Sequence, residues 1–477
     1  MSQPLSFYFH DYETWGADPK RDRPAQFAGI RTDADLNIIG EPDVWYCQLA
    51  NDYLPHPQAA LITGLTPQLC NKKGLPETEF MRQILSRFSE PGSCVLGYNS
   101  LRFDDEVTRY SLYRNFYEPY GREWQQGNSR WDLIDVVRAC YALRPEGINW
   151  PLREDGSPSF KLEHLSKANG LAHEHAHDAL SDVYATIGIA RLIKDKQSKL
   201  FSYLFELRKK TKAAELIDVA GLTPLVHVSS KFPASTGCVS WIVPLAFHPT
   251  NTNAVICYNL QADPSPLLTD DLDTLQNKLY TRTADLAEGE ERLGLKLIHL
   301  NKCPVLANAK TLSVERAAEL GINRARCLEH LEWFKQHRQL QQKVVTLYQQ
   351  PLEYPTETNP DYQLYNGFIS DADKQKMQQL HQLSADQLAI NPPLFSDERL
   401  NSLLFLYRSR NYPQSLNDPE QHKWQRYRTD KLMHGLDNPN LTMEEFSLAL
   451  ENLAHEYASD EQKMKILKSL YLYVQSL

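Results

Sequence analysis

The sequence predicts an α/β domain, then a β-rich middle segment, then an all-α end. Strand-like and helix-like runs alternate from Leu5 to about Lys196, short β-branched and aromatic runs fill the middle, and a proline-dense stretch precedes long segments of helical period. At 477 residues the length prior is about three domains, each large enough to bury its own core.

The first strand is the aromatic run Ser6-Phe7-Tyr8-Phe9-His10, followed by Asp11-Tyr12-Glu13. A strand's period of two puts the carboxylates of Asp11 and Glu13 on one face. Phe103-Asp104-Asp105-Glu106 reads as an acidic helix start, which the helix dipole favours. A helix is expected over Ala179–Lys194, with Ala179, Val183, Ile187 and Ala190 on its apolar side and Asp178 as N-cap. Asp182 sits beside that stripe one turn in, where a carboxylate facing the core is costly unless a cation or metal pairs with it.

From about Ser198 to Tyr348 the chain opens with a helix-like stretch, Leu200 to Leu216. The runs Leu225–Val228, Val239–Leu245 and Ala254–Asn259 then suggest a small barrel, and helix returns over Val314–Tyr348. Pro351 to Pro360 is a proline-dense linker. Beyond it, stretches such as Ala372–Leu383 and Met443–Ala458 carry the helical period. The expected domains are residues 1–197, 198–349 and 350–477, with 350–361 as linker.

Composition narrows the function classes. With 42% apolar and 23% charged residues the chain is an ordinary globular one. A net charge of -9 argues against a nonspecific polyanion coat, so a nucleic-acid partner requires basic residues gathered in a groove. Cysteines 47, 70, 94, 140, 238, 257, 303 and 327 form no C-x-x-C or tight Cys/His cluster, which speaks for reduced thiols and against zinc. The only apolar run near the start is interrupted by His10-Asp11, so neither a signal peptide nor a membrane span is expected, and the location is cytoplasmic.

Acids near residues 11, 13, 104 and 178–182 suit a divalent-metal site, since magnesium takes oxygen ligands and paired ions clamp the attacking and leaving oxygens of a phosphodiester. Spacing alone leaves Asp104 or Asp105, and Asp178 or Asp182, open.

The three motifs in this order resemble the DEDD exonuclease superfamily, and His177, five residues before Asp182, points to its DEDDh branch. The resemblance implies a ribonuclease-H-like exonuclease domain, an SH3-like β-barrel-containing domain and an all-α C-terminal domain. It places the metal-binding acids on Asp11, Glu13, Asp104 and Asp182 and the general base on His177. Asp11-Tyr12-Glu13-Thr14-Trp15-Gly16, Asp22 to Phe27, Gly97 to Arg109 and Ala142 to Pro151 resemble a long bacterial branch, and the likeness continues through Pro224–Val228 and Asn301–Leu306 to the helical end. Trp15 stands where Phe is expected, an exchange compatible with base stacking. Leu61-Ile62-Thr63-Gly64-Leu65-Thr66-Pro67 resembles the loop that packs on the terminal nucleotide, with Gly64 allowing close backbone approach. Trp15, Gly64, Leu65, Asn99 and Phe103 are thus the expected substrate contacts.

Arg208-Lys209-Lys210-Thr211-Lys212 and Tyr407-Arg408-Ser409-Arg410-Asn411-Tyr412 mix cations with aromatics, as single-strand binding requires, or are solvated helix faces. The resemblance implies a single-stranded-DNA exonuclease working from the 3′ end with two Mg2+ ions, Mn2+ being able to substitute. It also implies binding of the single-stranded-DNA-binding protein's C-terminal tail, for which Arg144 and Tyr203 are the candidates. A DEDDh exoribonuclease and a non-catalytic nucleic-acid-binding scaffold are the alternatives. The chain's length argues against the first and its intact acids against the second.

Overall fold

A computed structural model of the chain describes residues 5–171, 178–282, 285–286, 292–350, 356–436 and 441–477. His177 and the linker residues 351–355 lie outside the described residues. Five strands form the first sheet: β1 (Ser6–Thr14), β2 (Pro24–Thr32), β3 (Ile38–Tyr46), β4 (Ser93–Gly97) and β5 (Ser129–Asp132). Their order is β3-β2-β1-β4-β5, with β1 antiparallel to β2 and parallel to β4. A second, antiparallel sheet is built from β6 (Leu225–Val228), β7 (Val239–Phe247), β8 (Ala254–Asn259), β9 (Leu295–His299) and β10 (Val305–Asn308), in the order β10-β6-β7-β8-β9. Among the described residues, everything after His299 apart from β10 is helical or irregular, and Asp371–Leu380, Glu398–Asn411, Asp418–His434, Met443–Glu456 and Glu461–Gln475 are the longer helices of the C-terminal end. No helix among the described residues is long and apolar enough to cross a membrane.

β1 is buried on both faces because it alternates two kinds of core residue. Tyr8 and Tyr12 pack with Phe27 against Phe80, Ile84 and Phe88 of the helix Glu77–Phe88. The other face carries Phe7 and Phe9, both buried, and then Asp11 and Glu13. The change from aromatic to acid on that face marks where the core ends and the site begins. Gly97 ends β4 in a place where a Cβ would lie 2.6 Å from the His10 carbonyl oxygen, so the chain can turn there only without a side chain.

Contacts gather the chain into two compact units, one of residues 1–129, 173–184 and 355–477, the other of 130–172 and 185–354. The first unit joins the beginning of the chain to its end. Trp15, Leu49, Tyr53 and Ala60 share a core with Leu432, Phe446, Leu467 and Tyr473. Tyr110, Tyr113 and Phe116 share another with Leu364, Leu403 and Tyr407.

Two of the expected helices are broken. Leu200–Leu216 is split into Ser198–Glu206 and Lys210–Ala214, where Arg208 folds back to donate to the Phe205 carbonyl at 2.7 Å and stacks on its ring at 3.5 Å. Val314–Tyr348 comprises Val314–Glu319, Arg324–Gln336 and Leu340–Gln349, the first ended by Gly321 at φ 68°.

A buried ion cluster crosses the first unit. Arg410 binds Asp361 through both terminal nitrogens at 2.7 Å and reaches Asp52 at 2.7 Å, while Arg23 holds Asp361 at 2.7 Å and Lys431 holds Asp52 at 2.8 Å. Arg408 is likewise buried, forked onto Glu420. These two arginines are therefore structural, which corrects their reading as candidate nucleic-acid contacts. Arg410's partners lie on distant segments that local sequence does not reveal, and Arg408's is Glu420 on the helix Asp418–His434.

Burial by itself would raise the carboxyls of Asp52 and Asp361. Arg410 with Lys431 in the first case, and Arg410 with Arg23 in the second, outweigh it and hold both below the usual carboxylate range. A folded value below the unfolded one of about 3.9 gives stabilisation that is present above that pH and lost as pH falls from about 4. Asp361→Asn leaves two arginines facing a neutral amide and is expected to cost about 3–5 kcal/mol near neutral pH. The denaturant midpoint measures this, and the gap between variant and wild type should narrow below about pH 4.

Candidate active site

The carboxyl end of β1 presents Asp11 and Glu13 two residues apart on one face. A register shift follows immediately, since Glu13 pairs with Gln26 but Thr14 pairs with Pro24. Such irregularities re-aim the side chains beside them. The helix Ala179–Lys196 brings in Asp182, with Ala179, Val183, Ile187 and Ala190 buried as expected. One carboxylate oxygen each from Asp11, Glu13 and Asp182 lie within 4.8 Å of one another.

Asp104 is the first residue of the helix Asp104–Arg114 that follows β4. It is 4% exposed, and its Oδ1 accepts from the Tyr12 backbone N–H at 3.2 Å. Asp104 is thereby tied to the strand residue lying between the two acids. Its neighbour Asp105 instead pairs with Arg122 at 2.8 Å, so the pair divides into one acid at the site and one engaged in a buried ion pair. Asp178 and Asp182 divide in the same way. Asp178 caps the helix by accepting from the Ser181 N–H at 3.3 Å and also accepts from the Gln26 side-chain amide at 3.4 Å.

The electrostatics are those of carboxylates forced together. Burial first, then Asp104, Glu13 and Asp182, hold the Asp11 carboxyl well above the usual range. Burial, then Asp182, Asp104 and Asp178, push Glu13 up to about 9. An oxygen-only donor set of this kind fits a hard divalent cation, which would relieve the repulsion.

The expected substrate contacts fare unevenly. Trp15 is fully buried, in the core shared with Tyr53 and Leu467. It offers no open face, which corrects the base-stacking expectation. Leu65 is 7% exposed and belongs to the same core. Gly64 is exposed and left-handed at φ 70°, ending the helix Pro57–Thr63, with open space where a Cβ would stand. The exposed apolar side chain of residues 61–67 is Ile62, 49% accessible in the last turn of that helix, which is not among the expected contacts. Asn99 at φ 67° and half-buried Phe103 lie in the turn leading to Asp104.

In the second unit, exposed Arg144 donates to the carbonyls of Leu143 and, at 3.2 Å, Thr311. Tyr203, 38% exposed, donates to Leu306 at 2.9 Å. Both side chains thus reach the short segment made of β10 and the turn after it. Lys209 and Lys212 pair with Glu206 and Glu215, three residues away.

Three family models match in chain order: an exonuclease model over residues 8–190, an exonuclease I SH3-like domain over 208–350 and an exonuclease I C-terminal domain over 358–477. The exodeoxyribonuclease I of Haemophilus influenzae is 49% identical over 474 residues, 99% of each chain. That of Escherichia coli is 50% identical over 479 residues, covering 100% of this chain and 98% of the relative. The crystal structure of E. coli exonuclease I with a dA16 oligonucleotide matches at a TM-score of 0.95, with 50% identity over 99% of both chains. The zinc-bound form of the E. coli enzyme with single-stranded DNA matches at 0.94, with 50% identity over 99% of both chains. An SSB/exonuclease I structure with an inhibitor matches at 0.91, with 49% identity over 99% of this chain and 100% of that one. The first sheet therefore belongs to a ribonuclease-H-like exonuclease domain and the second to an SH3-like one. With three family models matched in chain order and relatives 49% and 50% identical over nearly the whole length, the chain belongs to the exonuclease I family of exodeoxyribonucleases.

Proposed function

We propose that this protein is a magnesium-dependent exodeoxyribonuclease that degrades single-stranded DNA from its 3′ end to 5′-mononucleotides, acting in DNA repair and recombination in the cytoplasm. The observation that carries the reading is the convergence of Asp11, Glu13 and Asp182 at the end of β1, with Asp104 anchored beside them. The relatives' name and the oligonucleotide-bound neighbours support the substrate. The zinc-bound neighbour supports a divalent ion in a protein of this fold.

Bound there as a pair, magnesium or manganese would neutralise phosphate charge and lower the pKa of the attacking water. Asp11, Glu13 and Asp182 supply the ligand oxygens, and Asp104 completes the acidic set. His177, adjacent in sequence to the helix cap Asp178, takes the proton of the attacking water. The new P–O bond forms from that water as the bond to the departing 3′-oxygen breaks, leaving a 5′-mononucleotide and a strand shorter by one residue. Gly64 with its loop, Asn99 and Phe103 contact the terminal nucleotides, and residues 1–197, 198–349 and 350–477 serve as the exonuclease, SH3-like and helical domains.

The partner is the acidic, apolar-ended tail of single-stranded-DNA-binding protein, and the SSB/exonuclease I neighbour supports it. Arg144 offers a charge-assisted bond to a carboxylate and Tyr203 an apolar face.

Asp11→Ala and Asp182→Ala are each expected to abolish cleavage of a 3′-labelled single strand while the circular dichroism spectrum is retained. Asp182→Asn should also raise the melting temperature in chelator, because it removes a repelling charge. Glu13's folded value of about 9 exceeds the unfolded one of about 4.3. The penalty relieved therefore grows as pH rises from about 4 toward 9, and so should the difference in melting temperature. His177→Ala should lower the rate by about 10²- to 10⁴-fold, a single-turnover measurement. Titrating a labelled tail peptide should show affinity for wild type and a loss of about tenfold or more in Arg144→Ala.

A further inference from the structure

Gln26 faces the acids from the neighbouring strand. It stands opposite Glu13 in the β1–β2 register and opposite Tyr46 in the β2–β3 register, so Glu13, Gln26 and Tyr46 form one row across three strands. Directly opposite side chains on such a row are about 4.5–5.5 Å apart at Cβ. Gln26 is 3% exposed, and its Nε2 donates to Asp178 Oδ1 and to the Tyr46 hydroxyl, each at 3.4 Å. An ionised carboxylate only accepts, so the amide must turn its nitrogen toward Asp178. Asp178 in turn caps the helix that carries Asp182 one turn later. A chain of contacts therefore runs from the strand row that contains Glu13, through Gln26 and Asp178, to the helix that contains Asp182.

Resting on the metal-site reading above, we infer that Gln26 is a positioning residue of the active site: it ties the Asp178 cap to β2 and so sets the separation of Asp182 from Glu13. Chemically it is the right group for the place. A neutral donor there binds Asp178 without adding to the crowd of negative charge, and its contact with Tyr46 fixes the second amide hydrogen. Glutamate at this position keeps the shape but replaces the donor with an acceptor, and methionine keeps the volume with neither.

The test measures Mn2+ binding by calorimetry on the full chain, together with the metal concentration that half-activates cleavage of a 3′-labelled oligonucleotide, for wild type, Gln26→Met and Gln26→Glu. Gln26→Met should weaken metal binding and raise the half-activating concentration by about 10- to 100-fold. The oligonucleotide KM should be unchanged, and excess cation should restore most of the rate. Gln26→Glu should be worse. A purely structural defect would reduce the active fraction without shifting the metal midpoint. A midpoint for Gln26→Met within about threefold of wild type, well short of that range, overturns the inference. If Gln26→Met does not fold, Asp178→Ala provides the second reading: it must shift the metal midpoint in the same direction, and an unshifted midpoint overturns the inference. Wild type that neither binds Mn2+ nor cleaves would overturn the proposed function itself, and the inference with it.

Discussion

The structure is organised around carboxylates that repel one another and are nevertheless held together. Asp11, Glu13, Asp104 and Asp182 all contribute to raising one another's proton affinity or to crowding the same strand end. Nothing in their mutual interaction would assemble them. They are assembled by neighbours with no charge to spare: the aromatic packing under β1, the Tyr12 N–H that holds Asp104, and the apolar side of the helix Ala179–Lys196. The fold stores an unfavourable local interaction that a bound divalent cation would relieve, so stability is given up at this strand end.

The second group of buried charges obeys the opposite rule. At Asp52 and Asp361 three cations surround two carboxylates, and each carboxyl is held ionised rather than pushed toward its neutral form. Both clusters are carboxylates under heavy desolvation. The fold brings arginine and lysine to meet Asp52 and Asp361, whereas it brings further carboxylates to Asp11 and Glu13. Asp104 and Asp105 show the distinction between adjacent residues, one at the site and the other on Arg122.

How much of this was legible in the sequence followed from how local the cause was. The acid pair on one strand face, the acidic helix start and the apolar stripe beside Asp182 depend on periods of two and 3.6, which neighbouring residues display. The choice of Asp104 over Asp105 and of Asp182 over Asp178 depends on partners such as Tyr12, Arg122 and Gln26, and spacing alone left it open. Arg408 and Arg410 were misread because a cation near aromatics looks alike whether it faces water or a carboxylate, Glu420 for the first and, 358 positions earlier, Asp52 for the second. Trp15 carried no local sign that the last helices would cover it.

Because the first unit is assembled from both ends of the chain, its completion is tied to the order of synthesis. Asp11, Glu13, Asp104 and Asp182 are all made before residue 190, but the surfaces of Trp15, Tyr53 and Tyr110 have no cover until residues beyond 360 emerge. Asp52 likewise waits for Arg410 and Lys431. On the ribosome the cutting half of the molecule is thus obliged to linger partly open, a state in which exposed apolar surface invites chaperones and aggregation. A nascent fragment that already contains Asp11, Glu13, Asp104 and Asp182 still lacks the residues that complete the cores around Trp15 and Tyr110.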